Sequence, residues 1–254
     1  MPKKFVLYAG DSGPNGTAAY LLSVLKSLRI STVHVPPSEK ISPAAIRKKI
    51  DAFIFSDLPH KHLARKAETK IIDQVRQGAG LWMIGGWASF ASPFGGWRGS
   101  LIEKMLPVTC LARDDRKNTP DGVLMRLGER HPILAHFNMG RSPVLCGFNE
   151  VRLKTNAQVI LTAQEIRLPK VSAPESVKIQ VRSKKYPLLV VDRNPRHRIA
   201  VLTTDITPHW CGGLVDWGNR RQKLRFNASV GVEVGDKYVR FLSNILKWLV
   251  KAHS

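Results

Sequence analysis

The stretch GAGLWMIGGWASFASPFGGWRGSLIEKMLPV at positions 78–108 decides the fold. Its apolar run Leu81–Ile84 is stopped by Gly85 and Gly86. A short, continuous apolar run between glycines predicts a strand buried on both faces of a parallel sheet. Open α/β sheets bind ligands just beyond the carboxyl ends of such strands. We therefore expect residues 86–90 to lie beside any functional site.

Strand and helix signals alternate up to residue 84. Apolar runs predict strands at 5–9, 32–35 and 51–57. Apolar residues at helical spacing predict helices at 18–28, from 42 through 50, and at 64–77. This alternation predicts a doubly wound, mostly parallel sheet with helices on both faces.

The second half of the chain is richer in strands. Beyond a predicted helix at 100–105, strand signals fall at 108–112, 122–126, 151–154, 159–163, 177–181, 188–192 and 199–203. A short helix is expected near 131–134, and residues 238–250 have the apolar spacing of an amphipathic helix. No linker or internal repeat interrupts the chain. We therefore expect a single domain over residues 1–254, with extra β-strands in its C-terminal half.

The chain is strongly basic. Of its 254 residues, 40 are Lys or Arg and 19 are Asp or Glu, for a net charge of +21. Such a charge favours phosphate-rich partners such as nucleic acid. The cations are scattered in short groups, and no nucleic-acid-binding motif accompanies them. Any binding of nucleic acid is therefore expected to be non-specific.

Composition also excludes several classes of protein. No run of 18 apolar residues occurs, so neither a membrane-spanning helix nor a membrane partner is expected. The apolar run after Lys4 is too short for a signal-peptide core. Cys110, Cys146 and Cys211 are widely spaced and form no CxxC motif, which argues against a disulfide framework or a zinc site. We expect reduced thiols and a cytoplasmic location.

The turn GDSGPNGT at 10–17 precedes the first predicted helix. Free N–H groups at a helix N-terminus can hold an anion, and Asp11 and Ser12 lie at that point. The turn lacks the lysine of a phosphate loop and the glycine spacing of a dinucleotide site. These absences favour a tight crossover turn in which Thr17 or Asn15 caps the helix.

The pair His60 and His62 has the spacing of two metal ligands. No third Cys, His or carboxylate stands at ligand spacing from them. A solvated loop or the start of a helix is the favoured interpretation. Neither a metal nor a cofactor is therefore expected.

Five segments, spread over most of the chain, match a known family. They are DAFIFSD at 51–57, GAGLWMIGGWASF at 78–90, LPV at 106–108, HPIL at 131–134 and TDITPHW at 204–210. Together they resemble the class I glutamine amidotransferase-like superfamily, in particular its cytoplasmic branch related to trehalose-utilisation-type proteins. The resemblance implies a flavodoxin-like α/β fold over nearly the whole chain.

The matching segments lack the catalytic residues of true amidotransferases. In those enzymes the central strand ends in a nucleophile elbow, G-x-C-x-G. Aligning Gly85 with the first glycine of the elbow places Trp87 at the cysteine position, and an alignment shifted by one residue would place Gly86 or Ala88 there, neither of which is a nucleophile. The His-Pro-Glu segment of the family is replaced by 204–206, with His209 a few residues further on. Because glutamine hydrolysis needs a nucleophile and an activating base, glutaminase activity is not expected.

Four residues remain as candidates for catalysis. Ser89 lies near the elbow, and with His209 and Asp205 it would form a Ser-His-Asp set. Cys211 is an alternative source of a thiolate. A hydrolase with one of these relocated nucleophiles is therefore the alternative to a protein without catalytic activity.

Aromatic residues are concentrated around the predicted crevice. An aromatic, partly polar crevice suits a flat ligand or a sugar, and it equally suits a subunit interface. We therefore expect either a small-molecule ligand of unknown identity or a partner subunit, which includes a homo-oligomer. The residues expected to contribute to ligand binding are Asp11, Ser12, Gly86, Trp87, Ser89, Phe90, Trp97, His209 and Trp210.

Overall fold

A nine-stranded sheet forms the centre of the computed structural model, which describes residues 3–13, 15–46, 49–169 and 179–251. The strands are β1 (Phe5–Gly10), β2 (Ser31–Val35), β3 (Ala52–Ser56), β4 (Gly80–Ile84), β5 (Val108–Cys110), β6 (Arg116–Leu127), β7 (Val144–Asn149), β8 (Val151–Leu153), β9 (Ala157–Arg167), β10 (Gln180–Asp192), β11 (Ile199–Leu202), β12 (Arg221–Arg225) and β13 (Gly231–Gly235). The α-helices are α1 (Ala18–Ser27), α2 (Arg65–Arg76), α3 (Leu101–Met105), α4 (Pro208–Val215) and α5 (Asp236–Leu249).

The large sheet combines a parallel half with an antiparallel half. Its strand order is β2-β1-β3-β4-β11-β10-β9-β6-β7. The pairings from β2 to β11 are parallel, and those from β11 to β7 are antiparallel. Seven of the nine strands consequently point in the same direction, because only β10 and β6 are reversed. The predicted mostly parallel sheet with extra strands in the C-terminal half is confirmed.

Helices cover both faces of this sheet, because successive side chains of a strand point to opposite faces. In β1, Val6 and Tyr8 belong to an apolar cluster that includes residues of α1 and α5. Leu7 and Ala9 belong to a second cluster, which includes residues of α2 and α3. The doubly wound arrangement therefore follows from strands whose two faces are both apolar.

One predicted element differs from the structure, and another lies partly outside the described residues. The helix expected from 42 through 50 is a single 3-10 turn at Pro43–Ile46, and Arg47 and Lys48 lie outside the described residues. Helical bonding does not reach Ile50, because its N–H donates instead to Gln74 Oε1 at 2.9 Å. Of the strand expected at 177–181, Val177 and Lys178 lie outside the described residues.

The turn before α1 is closed by hydrogen bonds other than the predicted side-chain cap. Thr17 is the N-cap but makes no side-chain bond to the helix, so the expected cap from Thr17 or Asn15 is wrong. Instead, Ser12 Oγ accepts the Thr17 N–H at 2.9 Å, and Thr17 Oγ1 accepts the Ser12 N–H at 2.9 Å. The two side chains lock the crossover turn.

Four elements have no counterpart in the predictions: α4, the edge strand β7, and the hairpin of β12 and β13. The α4 signal was present in the sequence, since Pro208 occupies the first helical position, where proline is favoured. The strands of the hairpin, RQKLR and GVEVG, contain one and two large apolar residues respectively, which is a weak strand signal. No helix in the described parts of the chain is long and apolar enough to cross a membrane.

Candidate functional site at the carboxyl ends of the strands

Acidic side chains gather where β1, β3 and β11 end. Asp11 directly follows β1, Asp57 directly follows β3, and Asp205 lies three residues beyond β11. These strands belong with β4 to the parallel half, in which β3 and β11 flank β4 and β1 lies beyond β3, so their carboxyl ends meet at one edge of the sheet. The loop after β4 forms the centre of this edge, which we call the crevice.

Two glycines make the turn after β4 possible. Gly86 has a φ of +154°, and a Cβ there would lie 2.6 Å from Asp57 Oδ1. A Cβ on Gly85 would lie 2.2 Å from the Thr203 carbonyl oxygen. Both separations are too short for a real side chain. The Gly-Gly pair that ends the strand in the sequence is therefore required by the close approach of β3 and β11.

The elbow N–H groups are occupied by a carboxylate of the protein itself. The Ala88 N–H donates to Asp57 Oδ1 at 2.5 Å. In enzymes with a nucleophile elbow, the N–H of the residue after the nucleophile helps to form the oxyanion hole. In the sequence alignment that places Trp87 at the nucleophile position, the donor equivalent to this N–H is that of Ala88. This N–H is already bonded to the Asp57 carboxyl.

The charge of Asp57 is opposed by its surroundings. Burial raises its pKa, and the nearby Asp205 carboxylate raises it further. The hydrogen bonds from the Ala88 and Trp87 N–H groups and the proximity of His209 work in the opposite direction. The N–H groups of the turn therefore stabilise an internal carboxylate that would otherwise be driven towards its neutral form.

Asp11 is held in a more strongly perturbed environment. It is buried, has a φ of +51°, and accepts a hydrogen bond from the Tyr8 hydroxyl at Oδ2. Burial, reinforced by the negative charge of Asp205, raises its pKa to about 8. Near neutral pH the Asp11 carboxyl is therefore mostly protonated, which limits repulsion in the acidic crevice.

Asp205 and His209 form the one pair of predicted catalytic residues that the structure brings together. His209 Nδ1 lies 3.7 Å from Asp205 Oδ2, and 61% of the His209 side chain is exposed. Asp205 raises the pKa of His209. The Asp205 carboxylate is fixed by N–H donors from Ile206 at 2.6 Å and Thr207 at 3.0 Å. The loop before α4 thus presents a positioned carboxylate and an exposed imidazole.

Neither predicted nucleophile is bonded to the Asp205 carboxylate or to the His209 ring. Ser89 is fully buried, and its hydroxyl donates to the Ile84 carbonyl at 2.7 Å, so it closes the turn after β4. Cys211 is fully buried as well, with Sγ 2.8 Å from the Asp205 carbonyl oxygen. Burial raises the pKa of Cys211 well above that of a free thiol. In this structure both side chains are structural, contrary to their expected catalytic placement.

The predicted aromatic lining is mostly core. Phe90 and Trp97 have no exposed surface, and the Trp97 Nε1–H donates to the Leu58 carbonyl at 2.8 Å. Trp210 is 4% exposed and donates to Asn118 Oδ1 at 2.9 Å. Their expected places in the lining of the crevice are therefore corrected.

Trp87 is the aromatic residue of the predicted set that is open to solvent. Its side chain is 45% exposed, and the Arg116 guanidinium lies 4.5 Å from the centre of its ring. Arg116 is in turn held by Asp114, with Nη2 2.7 Å from Oδ2. Ser12, also exposed, is engaged with Thr17 in the crossover turn. Of the predicted ligand-binding residues, Trp87 and His209 offer the largest open surfaces.

Asn149, at the end of β7, holds the turn after β4 by hydrogen bonds. It was not among the predicted site residues. Its Oδ1 accepts the Gly86 N–H at 2.9 Å, and its Nδ2 donates to Asp115 Oδ1 at 2.9 Å. Asp115 also accepts the Ala91 N–H at 2.6 Å, and burial raises its pKa to about 6. No sequence signal pointed to Asn149, because its strand was not predicted either. Asp57, by contrast, is the last residue of DAFIFSD, one of the segments that carry the family resemblance, so the sequence did draw attention to it.

Metal-ligating residues do not cluster in the described parts of the chain: no group of His, Cys, Asp and Glu there has the arrangement of a metal site. His60, one of the two histidines considered above, has its Nε2 3.3 Å from Glu68 Oε1. Glu68 is fully buried and also accepts the Ile102 N–H at 3.0 Å. This histidine thus takes part in joining α2 to α3.

The sheet order, the turn after β4 and the crevice define a class I glutamine amidotransferase-like fold. The profile of the GATase1_like family, described as "Putative glutamine amidotransferase", matches residues 15–251. The chain therefore belongs to this family. A search of curated protein sequences gave no significant match.

Solved structures agree with this assignment at the level of the fold. The cytoplasmic protein STM1381 from Salmonella typhimurium LT2 has a TM-score of 0.63 at 24% identity, over 81% of this chain and 90% of that one. The cytoplasmic protein STM3548 from Salmonella typhimurium has a TM-score of 0.62 at 22% identity, over 81% and 89%. A ThuA-like protein from Parabacteroides merdae has a TM-score of 0.55 at 14% identity, over 97% and 90%.

Proposed function

We propose that this protein does not hydrolyse glutamine, and that it binds a small molecule or a partner subunit at the crevice. The observation that carries the proposal is the Ala88 N–H bond to Asp57 Oδ1, 2.5 Å long, at an elbow whose nucleophile position is Trp87. The turn uses the Ala88 N–H donor internally. We also propose the cytoplasmic location given in the names of the two Salmonella proteins.

Electrostatics oppose acyl transfer at this turn. A tetrahedral intermediate develops negative charge on oxygen and needs donors aimed at that oxygen. Here the corresponding donor faces the Asp57 carboxyl, and the Asp205 carboxylate is close enough to raise the pKa of Asp57. An oxyanion would have to displace one carboxylate and approach another. Restoring a cysteine alone is therefore not expected to restore hydrolysis.

The same features favour a ligand that donates hydrogen bonds. The crevice offers the partly buried Asp57 carboxyl, the exposed imidazole of His209 and the exposed ring of Trp87. Carboxylates accept hydrogen bonds, and an aromatic ring provides a flat apolar surface. Polyols, sugars and amines combine donors with such surfaces. They are the ligand class that we expect in preference to anionic compounds.

The glutaminase test uses the release of ammonia from glutamine. We expect no release above the rate without protein, both for the natural chain and for Trp87→Cys. A class I amidotransferase of known activity serves as the positive control. Release by the natural chain that is lost in His209→Ala would contradict the proposal, since it would show a working site around that residue. Release by Trp87→Cys alone would show that Asp57 does not block the N–H donors.

The binding test uses thermal melts of the natural chain with panels of sugars, amines and carboxylic acids. We expect a ligand among the neutral or cationic compounds to raise the midpoint of unfolding. That shift should be lost in Trp87→Ala or His209→Ala and retained in the exposed control Lys223→Ala, which lies on β12. Sizing chromatography of the same variants tests the partner-subunit alternative, because loss of self-association would then accompany Trp87→Ala.

A relocated hydrolase remains the second candidate, supported by the separation of 3.7 Å between His209 Nδ1 and Asp205 Oδ2. A positioned carboxylate beside an imidazole is two-thirds of a catalytic triad. Treatment of the folded protein with a fluorophosphonate or a thiol-reactive probe tests it. Labelling of Ser89 or Cys211 that depends on His209 would support the hydrolase. We expect no labelling of either residue, because both side chains are buried.

A further inference from the structure

A second concave surface lies at the amino ends of the parallel strands, opposite the crevice. Two adjoining cavities there have volumes of about 270 and 540 Å³ and share Arg198 and Lys251 in their linings. We call them together the basic groove. Its cationic lining consists of Lys4, Lys49, Arg193, Arg196, Arg198 and Lys251.

Acidic residues neutralise only part of this lining. Lys4 is paired with Asp51 at 3.1 Å, and Arg193 is paired with Glu129 at 2.6 Å. The Arg198 guanidinium, which is largely buried, donates to the Gly78 carbonyl at 2.7 Å and so has a structural role. These three cations are therefore not counted as free ligand-binding charges.

Three cations in the groove have a different status. Lys49, Arg196 and Lys251 are exposed, and none forms an ion pair within the described parts of the chain. These side chains are solvated in the folded protein, so the fold does not depend on their charges. They constitute a positive surface that is available to an external anion.

An aromatic ring lies among these charges. Trp248, near the end of α5, lines the larger cavity and is half-buried. Its ring meets the imidazole of His131 edge-on, with centroids 5.3 Å apart and an interplanar angle of 76°. An indole next to exposed cations is the combination that single-stranded nucleic acids use, because bases stack on aromatic side chains while phosphates contact Lys and Arg.

We propose that the basic groove binds single-stranded nucleic acid, with phosphates on Lys49, Arg196 and Lys251 and a base against Trp248. Two cavities that share part of their lining suit a strand better than a single phosphate group. The binding is expected to tolerate many sequences, because stacking and phosphate contacts carry little sequence information.

Fluorescence anisotropy with a labelled single strand of about twelve nucleotides tests the proposal. The variant K49Q/R196Q/K251Q should bind at least about tenfold more weakly at low salt than the natural chain. The slope of log Kd against log salt concentration should fall by about 2, because each single-strand phosphate contact contributes about 0.7. Thermal melts should show that all the variants are folded.

A matched control separates the groove from the net charge. The variant K61Q/K66Q/K104Q removes the same charge from exposed residues outside the groove, and its affinity should stay within about threefold of the natural value. Equal weakening of the two triple variants would overturn the proposal, because it would show attraction to the whole basic surface. Absence of binding by the natural chain at low salt would overturn it too.

Two further measurements test the nature of the ligand. Trp248→Leu should weaken the binding of the single strand and leave the binding of heparin, a polyanion without bases, unchanged. Equal loss for both ligands would remove the stacking role. A mononucleotide should bind far more weakly than the strand. Comparable affinity for the mononucleotide would overturn the assignment to a strand.

Discussion

The two ends of the central sheet differ in the placement of their ionisable side chains. At the carboxyl ends, Asp11, Asp115 and Asp205 are buried and hydrogen-bonded within the protein. At the amino ends, the exposed Lys49 and Lys251 have no ion pair in the described residues. The excess of cations behind the net charge of +21 therefore lies on the exposed surface, whereas the crevice is lined by acidic residues. Charge that is buried constrains the fold, whereas charge that is exposed remains available to partners.

This difference predicts how substitutions at the two ends behave. A carboxyl group in the crevice depends on specific N–H donors, so changes to those donors should cost stability. An exposed, unpaired lysine makes no contact that the fold requires. Most substitutions of such a residue change the free energy of unfolding by less than about 0.5 kcal/mol. The predictions that follow therefore start at the turn after β4 and end at the exposed rim of the crevice.

The largest effect is expected for Gly86→Ala. The new Cβ would lie 2.6 Å from Asp57 Oδ1 at a φ of +154°, so the turn and the Ala88–Asp57 bond cannot both persist. We expect a loss of about 3 kcal/mol in the free energy of unfolding, measured by urea titration. The matched control is Gly212→Ala in α4, where a Cβ meets nothing within 4 Å and should be neutral or slightly stabilising. Equal losses would show that the crevice turn is not under special constraint.

A smaller loss is expected for Asn149→Ala. Truncation removes the acceptor of the Gly86 N–H and the donor to Asp115, and both of these groups are buried. Leaving them unpaired should cost about 2 kcal/mol. The control Asn219→Ala, at an exposed loop position, should change the free energy of unfolding by less than about 0.5 kcal/mol. A neutral Asn149→Ala would break the contrast between the two ends of the sheet.

Stability should also depend on pH through the crevice acids. Asp11 has a folded-state pKa of about 8, above its ordinary value of 3.8, so the folded state binds more protons between these limits. The contribution of the Asp11 proton is present below pH 4 and is lost as the pH rises towards 8. We expect a decline on the order of 1 kcal/mol per pH unit between pH 5 and 8.

The variant Asp11→Asn identifies the source of this decline. It keeps the size of the side chain and cannot titrate, so the slope of stability against pH should become shallower. Part of the decline of stability with pH should persist in this variant, because the pKa values of Asp57 and Asp115 are raised as well. Unfolding curves at several pH values give the comparison. An unchanged slope in Asp11→Asn would show that this carboxyl group titrates normally.

The comparison of the two ends also explains what the sequence revealed. Apolar runs such as Leu81–Ile84 are local signals, and they predicted the parallel half of the sheet. The role of Gly86 was equally accessible, because a strand stopped by Gly-Gly indicates a close backbone approach. The family resemblance then placed Trp87 at the nucleophile position. These inferences depend on short stretches of sequence and not on long-range contacts.

The contacts that complete the crevice were beyond such inference. Asn149 reaches Gly86 from β7, which is paired at the far edge of the antiparallel half. Neither the residue type of Asn149 nor its spacing in the sequence predicts this hydrogen bond. The burial of Trp97 was missed for a related reason: an aromatic residue in a glycine-rich loop suits a pocket or a core equally well. Its contact with Leu58, which follows β3, decides between the two.

The smallest effect on stability is expected for Trp87→Ala. Its side chain is 45% exposed, and its main contact is the Arg116 guanidinium at 4.5 Å from the ring centre. A cation–π contact at an exposed site contributes about 0.5–1 kcal/mol, and Asp114 continues to hold Arg116 after truncation. The loss should therefore stay below about 1 kcal/mol in the same urea titrations. Ligand or subunit binding should be impaired far more than folding. If Trp87→Ala unfolded as readily as Gly86→Ala, Trp87 would be a core residue, and the crevice would have no open aromatic surface with which to bind a ligand.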